Sequence, residues 1–141
     1  MSLYDRLGNR VILRGINKMS VWDAGDPDGA ISFPEIRQTG ANTVRIVWAI
    51  RTDLEPGASN TDPNRLDTLI TNAKQHHLIP MIELHDATGN WSRLPDLVSY
   101  WTQPSILSII QKHQAYLLIN IGNEVGDDTV THAQFIAGYT T

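Results

Sequence analysis

Residues 117–124 read LLINIGNE, an apolar run that ends on an amide and a carboxylate just before a turn. An apolar run of this length between polar turn residues is typical of a strand that is buried on both faces, in a parallel sheet covered by helices. Glu124 would then lie at the carboxyl end of the strand, where α/β barrels and open α/β sheets form their clefts. The alternative is that Glu124 only caps the strand or forms a salt bridge there.

The composition is that of an ordinary globular protein. The chain has 141 residues, of which 41% are hydrophobic and 18% are charged, and this predicts one domain with a real core. The net charge of −4 and the lack of a Lys/Arg cluster argue against nucleic acid or an anionic membrane as a partner. Cysteine is absent, which excludes disulfides and Cys-based zinc sites. No apolar signal region follows Met1, so we expect either a cytosolic protein or a signal removed before this chain begins.

Strands and helices are predicted to alternate along the chain. Strand candidates start near residues 11, 43, 79 and 117, and the intervals of 32, 36 and 38 residues are typical of βα units. The predicted helices begin with a capping box at Ser32 to Glu35, at the Asp62-Pro63 cap, near Pro95 with a break at Pro104, and near Thr129. Pro56, Gly57 and Asn60 mark a loop after the second strand.

This order predicts an α/β fold with parallel strands and right-handed crossovers, namely four βα units of a (β/α)8 TIM barrel. A complete barrel usually needs roughly 250 residues. Residues 1–141 would then form half of such a barrel, ending after the fourth strand and the start of its helix. Such a half would have exposed sheet edges, which favours association with another chain, as in a homo-oligomer, or with a missing remainder of the barrel.

Side-chain alternation along the strands predicts a polar cluster on the inner face of the sheet, made of Arg45, Glu83, His85, Asn120 and Glu124. Because unpaired charge is costly to bury, Arg45 and Glu83 are expected to pair. That pair is either purely structural or orients a site. His85 lies near a strand end, where a role in a site is favoured over that of a satisfied core histidine.

Two kinds of ligand are compatible with these positions. Trp22, Trp48 and Trp91 fall at or just after strand ends, where their rings would stack on a sugar or simply fill a barrel mouth. A metal ion held by His85, Asp86 and Glu124 is the other possibility. The spaced histidine pair typical of zinc hydrolases is missing from the sequence, which disfavours the metal.

Four segments, in order and with barrel spacing, resemble the N-terminal half of a glycoside hydrolase family 5 catalytic domain, of the endo-β-mannanase and cellulase type. They are LRGIN at 13–17, TGANTVRIV at 39–47, ELHDATG at 83–89 and INIGNE at 119–124. The HDATG run, with Tyr100-Trp101 downstream, is most similar to bacterial β-mannanases. The resemblance therefore favours β-mannan as the substrate, followed by cellulose or β-glucan.

The resemblance implies retaining endo-hydrolysis of a β-1,4-linked polysaccharide by a secreted parent protein, without cofactor or metal. Glu124 would be the general acid/base, and Asn123 would hydrogen-bond the sugar hydroxyl next to the cleaved bond. Arg45 and His85 would orient the catalytic carboxylates. The residues expected to bind the substrate are Asn17, Trp22, Trp48, Asp86 and Trp91.

The resemblance also places the nucleophilic glutamate on the seventh strand of the barrel. Without that carboxylate nearby, the pKa of Glu124 would not be tuned for acid catalysis. We therefore expect this polypeptide alone to be inactive. Two alternatives remain, namely a half-barrel module that binds or self-associates without catalysis, and a metal-dependent hydrolase that chelators would inhibit.

Overall fold

The computed structural model of the chain describes residues 2–50 and 61–140, so the predicted loop around Pro56, Gly57 and Asn60 lies outside the described residues. The strands are β1 Leu3–Tyr4, β2 Arg10–Val11, β3 Gly15–Lys18, β4 Thr43–Trp48, β5 Ile79–Leu84 and β6 Leu118–Asn120. The helices are α1 Ser32–Gln38, α2 Pro63–Gln75, α3 Leu94–Trp101, α4 Pro104–His113 and α5 His132–Thr140, with a 3₁₀ turn at Trp91–Arg93. In this part of the chain, no helix has the length and apolar character that crossing a membrane requires.

Strands β3 to β6 form one parallel sheet in the order β3-β4-β5-β6, while β1 and β2 form a separate antiparallel pair. Helices lie between successive strands of the parallel sheet, as βα units require. The predicted α/β class with parallel strands is therefore confirmed. The carboxyl ends of the four strands lie at one edge, which is where this class of fold places its sites.

The hydrophobic core lies between the sheet and the helices. Helix α2 shows why: Leu66, Leu69, Ile70 and Ala73 recur at helical spacing, and all four side chains are buried. Burying one Leu or Ile side chain contributes about 1.5–3 kcal/mol, so this face holds α2 in the core. The helix begins at the predicted cap, where the Asp62 carboxylate accepts the Asn64 N–H at 2.9 Å.

The first parallel strand starts later than predicted. Val11, expected to open this strand, instead lies opposite Leu3 in the antiparallel ladder of Arg10–Val11 with Leu3–Tyr4. Between the two strands the chain is bound by a side chain, because Asn42 accepts the Arg14 N–H at 2.8 Å and donates to the Ile12 carbonyl at 2.9 Å. These bonds align the chain so that Gly15 enters the sheet opposite Thr43.

Strand β6 is shorter and more open than the sequence suggests. Ile119 and Ile121 are 39% and 41% exposed, so the prediction of a strand buried on both faces is wrong for these residues. The reason is position: within the described residues, β6 pairs on one side only, with β5, and forms an edge of the sheet.

The predicted capping box at Ser32 is also wrong. Helix α1 has Ile31 at its N-cap, and no side-chain cap bond forms there. The N–H groups of Ile31 and Ser32 instead donate to the two carboxylate oxygens of Asp26, each at 3.0 Å. Asp26 also pairs with Lys18 at 3.2 Å, and Lys18 forms a second ion pair with Asp23. Asp26 therefore ties the start of α1 to the carboxyl end of β3.

These bonds predict how stability depends on pH. Burial raises the pKa of Asp26, but hydrogen bonds from Ile31 and Ser32 and the Lys18 ammonium outweigh it and lower the pKa from 3.8 to about 2. A lowered pKa gives stability that is present above about pH 4 and is lost as the pH falls toward 2. We therefore expect the Asp26→Asn chain to be less stable than wild type by up to about 2 kcal/mol at pH 5.5.

Urea unfolding of both chains at pH 5.5 and pH 2 measures this difference, which should narrow at the lower pH. The exposed carboxylate of Asp128 provides the control substitution, Asp128→Asn, for which we expect little change at either pH. An Asp26→Asn effect of equal size at both pH values would contradict this account of the cap.

Candidate active site

Three side chains from β4, β5 and the residues that follow β5 form one ionic group. The Nη2 atom of Arg45 lies 3.1 Å from Oε2 of Glu83, and Nδ1 of His85 lies 3.1 Å from Oε1 of the same carboxylate. Glu83 is fully buried, whereas Arg45 and His85 are 23% and 21% exposed. The predicted pair of Arg45 and Glu83 is therefore present, and Glu83 binds His85 as well.

The electrostatics of this group follow from the burial of Glu83. Burial raises the pKa of Glu83 above its usual value, while the charges of Arg45 and His85 act in the opposite direction. The His85 contact also orients the ring, because Nδ1 is engaged by the carboxylate and Nε2 is the other nitrogen able to meet a ligand. Glu83 thus works as a buried anchor for two partly exposed side chains.

Asn123, three residues beyond the end of β6, is bound to this group. Its Oδ1 accepts a hydrogen bond from Arg45 Nη2 at 2.7 Å, and its backbone N–H donates to the Leu84 carbonyl at 2.8 Å. Its side-chain amide donates to Thr88 Oγ1 at 3.0 Å. The side-chain amide is therefore held at both ends and the backbone at a third point, at the edge of the sheet where the strands end.

Glu124 follows with an exposed side chain and an unusual backbone. Its φ of 41° lies in the left-handed region, which is uncommon for a residue with a Cβ. The Glu124 carbonyl accepts the Gly89 N–H at 2.9 Å, which holds this conformation. Glu124 borders an open cavity of about 800 Å³, together with Asp127, Asp128 and Tyr139. That volume is in the range of ligand sites.

The structure places two of the predicted substrate-binding residues beside the ionic group. The Trp22 ring is half-buried and meets the His85 ring edge-on, with centroids 5.4 Å apart. Asn17 is exposed on β3 and lies directly opposite Arg45 in the strand register. Asn120, expected in the same cluster, lies opposite Glu83 in the register of β5 and β6.

The prediction that the Trp48 ring is open to a ligand is wrong. Its side chain has no exposed surface, and its Nε1–H donates to the Tyr100 hydroxyl at 2.9 Å inside the core. The pleat of β4 explains this, because Trp48 alternates with Val47 and lies on the strand face opposite to that of Arg45. This face points to the helices, so the ring of Trp48 is not available for stacking on a sugar.

The remaining two predicted ligand-binding residues lie in the loops that follow β5. Trp91 is half-buried and packs against Phe135 and Tyr139 of α5, with ring centroids 6.4 and 6.2 Å apart. Asp86 is buried, and its Oδ2 accepts the Ile50 N–H at 2.8 Å, which joins the loops after β4 and β5.

The three residues considered as metal ligands have separate environments. The Nδ1 atom of His85 contacts Glu83, Asp86 binds the Ile50 N–H, and the side chain of Glu124 is exposed. Over residues 2–50 and 61–140, no group of three or more His, Cys, Asp or Glu side chains is arranged to hold a metal ion.

The chain is similar in sequence to two curated mannan endo-1,4-β-mannosidases. It is 34% identical over 123 residues to that of Cellvibrio japonicus, which covers 83% of this chain and 26% of the relative. It is 35% identical over 125 residues to that of Salipaludibacillus agaradhaerens, covering 87% of this chain and 38% of the relative. No profile of a known protein family matches the sequence.

A solved structure with bound sugar has the same fold. The mannohexaose complex of Thermomonospora fusca β-mannanase matches with a TM-score of 0.76 and 32% identity, over 98% of this chain and 44% of that one. The fold and these similarities define the described residues as part of an α/β barrel. The resemblance to glycoside hydrolase family 5, of the mannanase and cellulase type, is confirmed. The chain spans 26% and 38% of the length of the two curated relatives.

The buried Glu83 predicts a stability effect that depends on pH. Replacing Arg45 by Met removes the guanidinium that compensates a fully buried carboxylate, a loss that typically destabilises a protein by about 3–5 kcal/mol at neutral pH. The pKa of Glu83 is already raised by burial and should rise further in the variant. Protonation of Glu83 at low pH removes the uncompensated charge, so the variant should recover part of its stability as the pH falls.

Urea unfolding of wild type and Arg45→Met between pH 4 and pH 8 measures this difference. The double variant Arg45→Met/Glu83→Gln has no buried charge to compensate, and its deficit should vary much less with pH. If the loss of unfolding free energy in Arg45→Met is the same at every pH in this range, the loss does not come from the ion pair with Glu83.

Proposed function

We propose that the barrel containing these four strands hydrolyses β-1,4-mannan with retention of configuration, and that Glu124 is its acid/base. The observation that carries this proposal is the Asn123-Glu124 pair at the end of the sheet. Asn123 is held by Arg45 at 2.7 Å, and Glu124 borders an open cavity of about 800 Å³. Both curated relatives are named mannan endo-1,4-β-mannosidases, which supports mannan over other β-glycans.

The proposed reaction has two steps. In the first, a carboxylate nucleophile attacks the anomeric carbon while the protonated Glu124 gives its proton to the glycosidic oxygen, so the sugar–oxygen bond breaks and a glycosyl ester forms. In the second, the Glu124 carboxylate takes a proton from water. The resulting hydroxide equivalent displaces the nucleophile and releases the sugar with its original configuration.

Asn123 and the ionic group prepare this reaction. The Asn123 amide has two donor hydrogens, of which one binds Thr88, so the other is available to the sugar hydroxyl next to the cleaved bond. Arg45 orients Asn123 by binding its oxygen, and Glu83 orients Arg45 and His85. Trp22 lies against His85, and its ring would contact the sugar beside the reacting bond.

The nucleophile would come from another strand of the barrel. Glu83 is the other strand carboxylate in this group, but it is fully buried and bound to Arg45 and His85, so it is not free to attack a sugar. By resemblance, the nucleophile is a glutamate on the seventh strand, which would lie roughly 5 Å from Glu124. We therefore propose that the 141-residue chain alone is inactive. Because a polysaccharide is too large to enter a cell intact, the parent protein would act outside the cell.

A second candidate function is self-association of the half-barrel without catalysis. It is favoured by apolar side chains at the two edges of the sheet: Ile16 in β3 is 40% exposed, and Ile119 and Ile121 at β6 are 39% and 41% exposed. Light scattering over a range of concentrations would show a stable dimer if two copies pair through these edges.

Reducing-sugar release from soluble β-mannan tests the proposal. The 141-residue chain alone should release none. After refolding with the complementary C-terminal part of the Salipaludibacillus agaradhaerens enzyme, it should release sugar, and Glu124→Gln should lower the rate about 10²–10⁴-fold. Glu35→Gln, at an exposed carboxylate in α1, is the matched control and should retain the full rate.

Two results would contradict the proposal. Hydrolysis by the chain alone would mean that a second catalytic carboxylate is present in it. A Glu124→Gln chain that associates with the complementary part and hydrolyses mannan at the wild-type rate would exclude Glu124 as the acid/base.

A further inference from the structure

Thr88, in the loop that follows β5, connects this loop to the end of β6. Its hydroxyl donates to the His85 carbonyl at 2.9 Å and accepts from the Asn123 side-chain amide at 3.0 Å. A hydroxyl has one hydrogen to donate and two lone pairs to accept with, so both contacts form together. The Asn123 carbonyl lies 3.3 Å from the same oxygen, as a longer, secondary contact.

These contacts determine which way the Asn123 carboxamide faces. Arg45 can only donate, so the oxygen of the amide must point toward it. The nitrogen then points to Thr88, whose hydrogen is committed to His85 and whose oxygen accepts. With one amide hydrogen on Thr88, the direction of the second is fixed by the plane of the group. Arg45 and Thr88 together therefore fix both ends of the carboxamide.

The backbone beside Thr88 positions Glu124 as well. Thr88 forms isolated bridges with Val125 and Gly126, and the Gly89 N–H donates to the Glu124 carbonyl at 2.9 Å. A residue with a Cβ costs about 1–3 kcal/mol in the left-handed region, so Glu124 keeps its φ of 41° only because its surroundings hold it. Contacts from the loop after β5 thus fix both the side chain of Asn123 and the backbone of Glu124.

We propose that Thr88 is a positioning residue of the mannan-hydrolysing site: its hydroxyl sets the orientation of the Asn123 amide and thereby the hydrogen offered to the sugar. This inference rests on the proposed function. Thr88 itself need not touch the substrate, because its contacts are with His85 and Asn123. Losing the hydroxyl should leave Asn123 bound to Arg45 but free to turn about its side chain, which weakens the contact that matters most in the transition state.

The test uses Thr88→Val, which keeps the shape and loses the hydroxyl, and Thr88→Ser, which keeps the hydroxyl. In the ¹⁵N-labelled 141-residue chain, we expect the Asn123 side-chain amide to exchange with water about fivefold faster in Thr88→Val, as the loss of one hydrogen bond implies. In the barrel completed with the Salipaludibacillus agaradhaerens part, kcat should fall about tenfold, with KM changed little. Thr88→Ser should match wild type in both measurements.

Thr68→Val is the matched control, because the Thr68 side chain is exposed and its hydroxyl donates to the Asn64 carbonyl at 3.0 Å within α2. The inference is overturned if Thr88→Val and Thr68→Val give the same amide exchange rate and the same kcat. It is also overturned if Thr88→Ser is as impaired as Thr88→Val. If the completed wild-type barrel hydrolyses no mannan, the proposed function fails. The amide exchange still shows separately whether Thr88 holds Asn123.

Discussion

The burial of the Glu83 carboxylate is the constraint on which the rest of the site depends. A fully buried charge is tolerated only when it is compensated, and here Arg45 and His85 compensate it from opposite oxygens at 3.1 Å each. The Arg45 and His85 side chains are thereby bound to Glu83, and each remains partly exposed. Arg45 in turn binds the side chain of Asn123, and Glu124 is the next residue in the chain. Polar groups that would cost free energy separately become one connected network.

The central part of this network could be predicted from the sequence because strand geometry leaves little freedom. Alternation along β4 and β5 puts Arg45 and Glu83 on one face, and neighbouring parallel strands bring them within reach. The βα order then places the end of β6 at the same edge as the end of β5. The same alternation would have assigned Trp48 to the helix-facing side, so its burial was predictable from the pattern, although its position near a strand end suggested a ligand contact.

Other features depended on information that periodicity does not contain. Thr88 precedes Asn123 by 35 residues in the chain, and its hydroxyl contacts Asn123 only because the loop after β5 adopts a particular conformation. The cap of α1 comes from Asp26, five and six residues before the N–H groups it binds, whereas the capping-box pattern considers only local positions. The exposure of β6 depends on what pairs with its second edge, which no pattern within the strand itself can indicate.

The proposed binding of mannan is at the carboxyl edge of this sheet, over Asn123 and Trp22 and away from Trp48. Titration of the ¹⁵N-labelled chain with mannohexaose at millimolar concentration, followed by NMR, tests it most directly, because weak binding still shifts the signals of groups in contact. We predict shifts of the Trp22 indole and of the Asn123 side-chain amide, with the buried Trp48 indole unchanged. Saturable shifts centred on other residues, with Trp22 and Asn123 unmoved, would contradict the account.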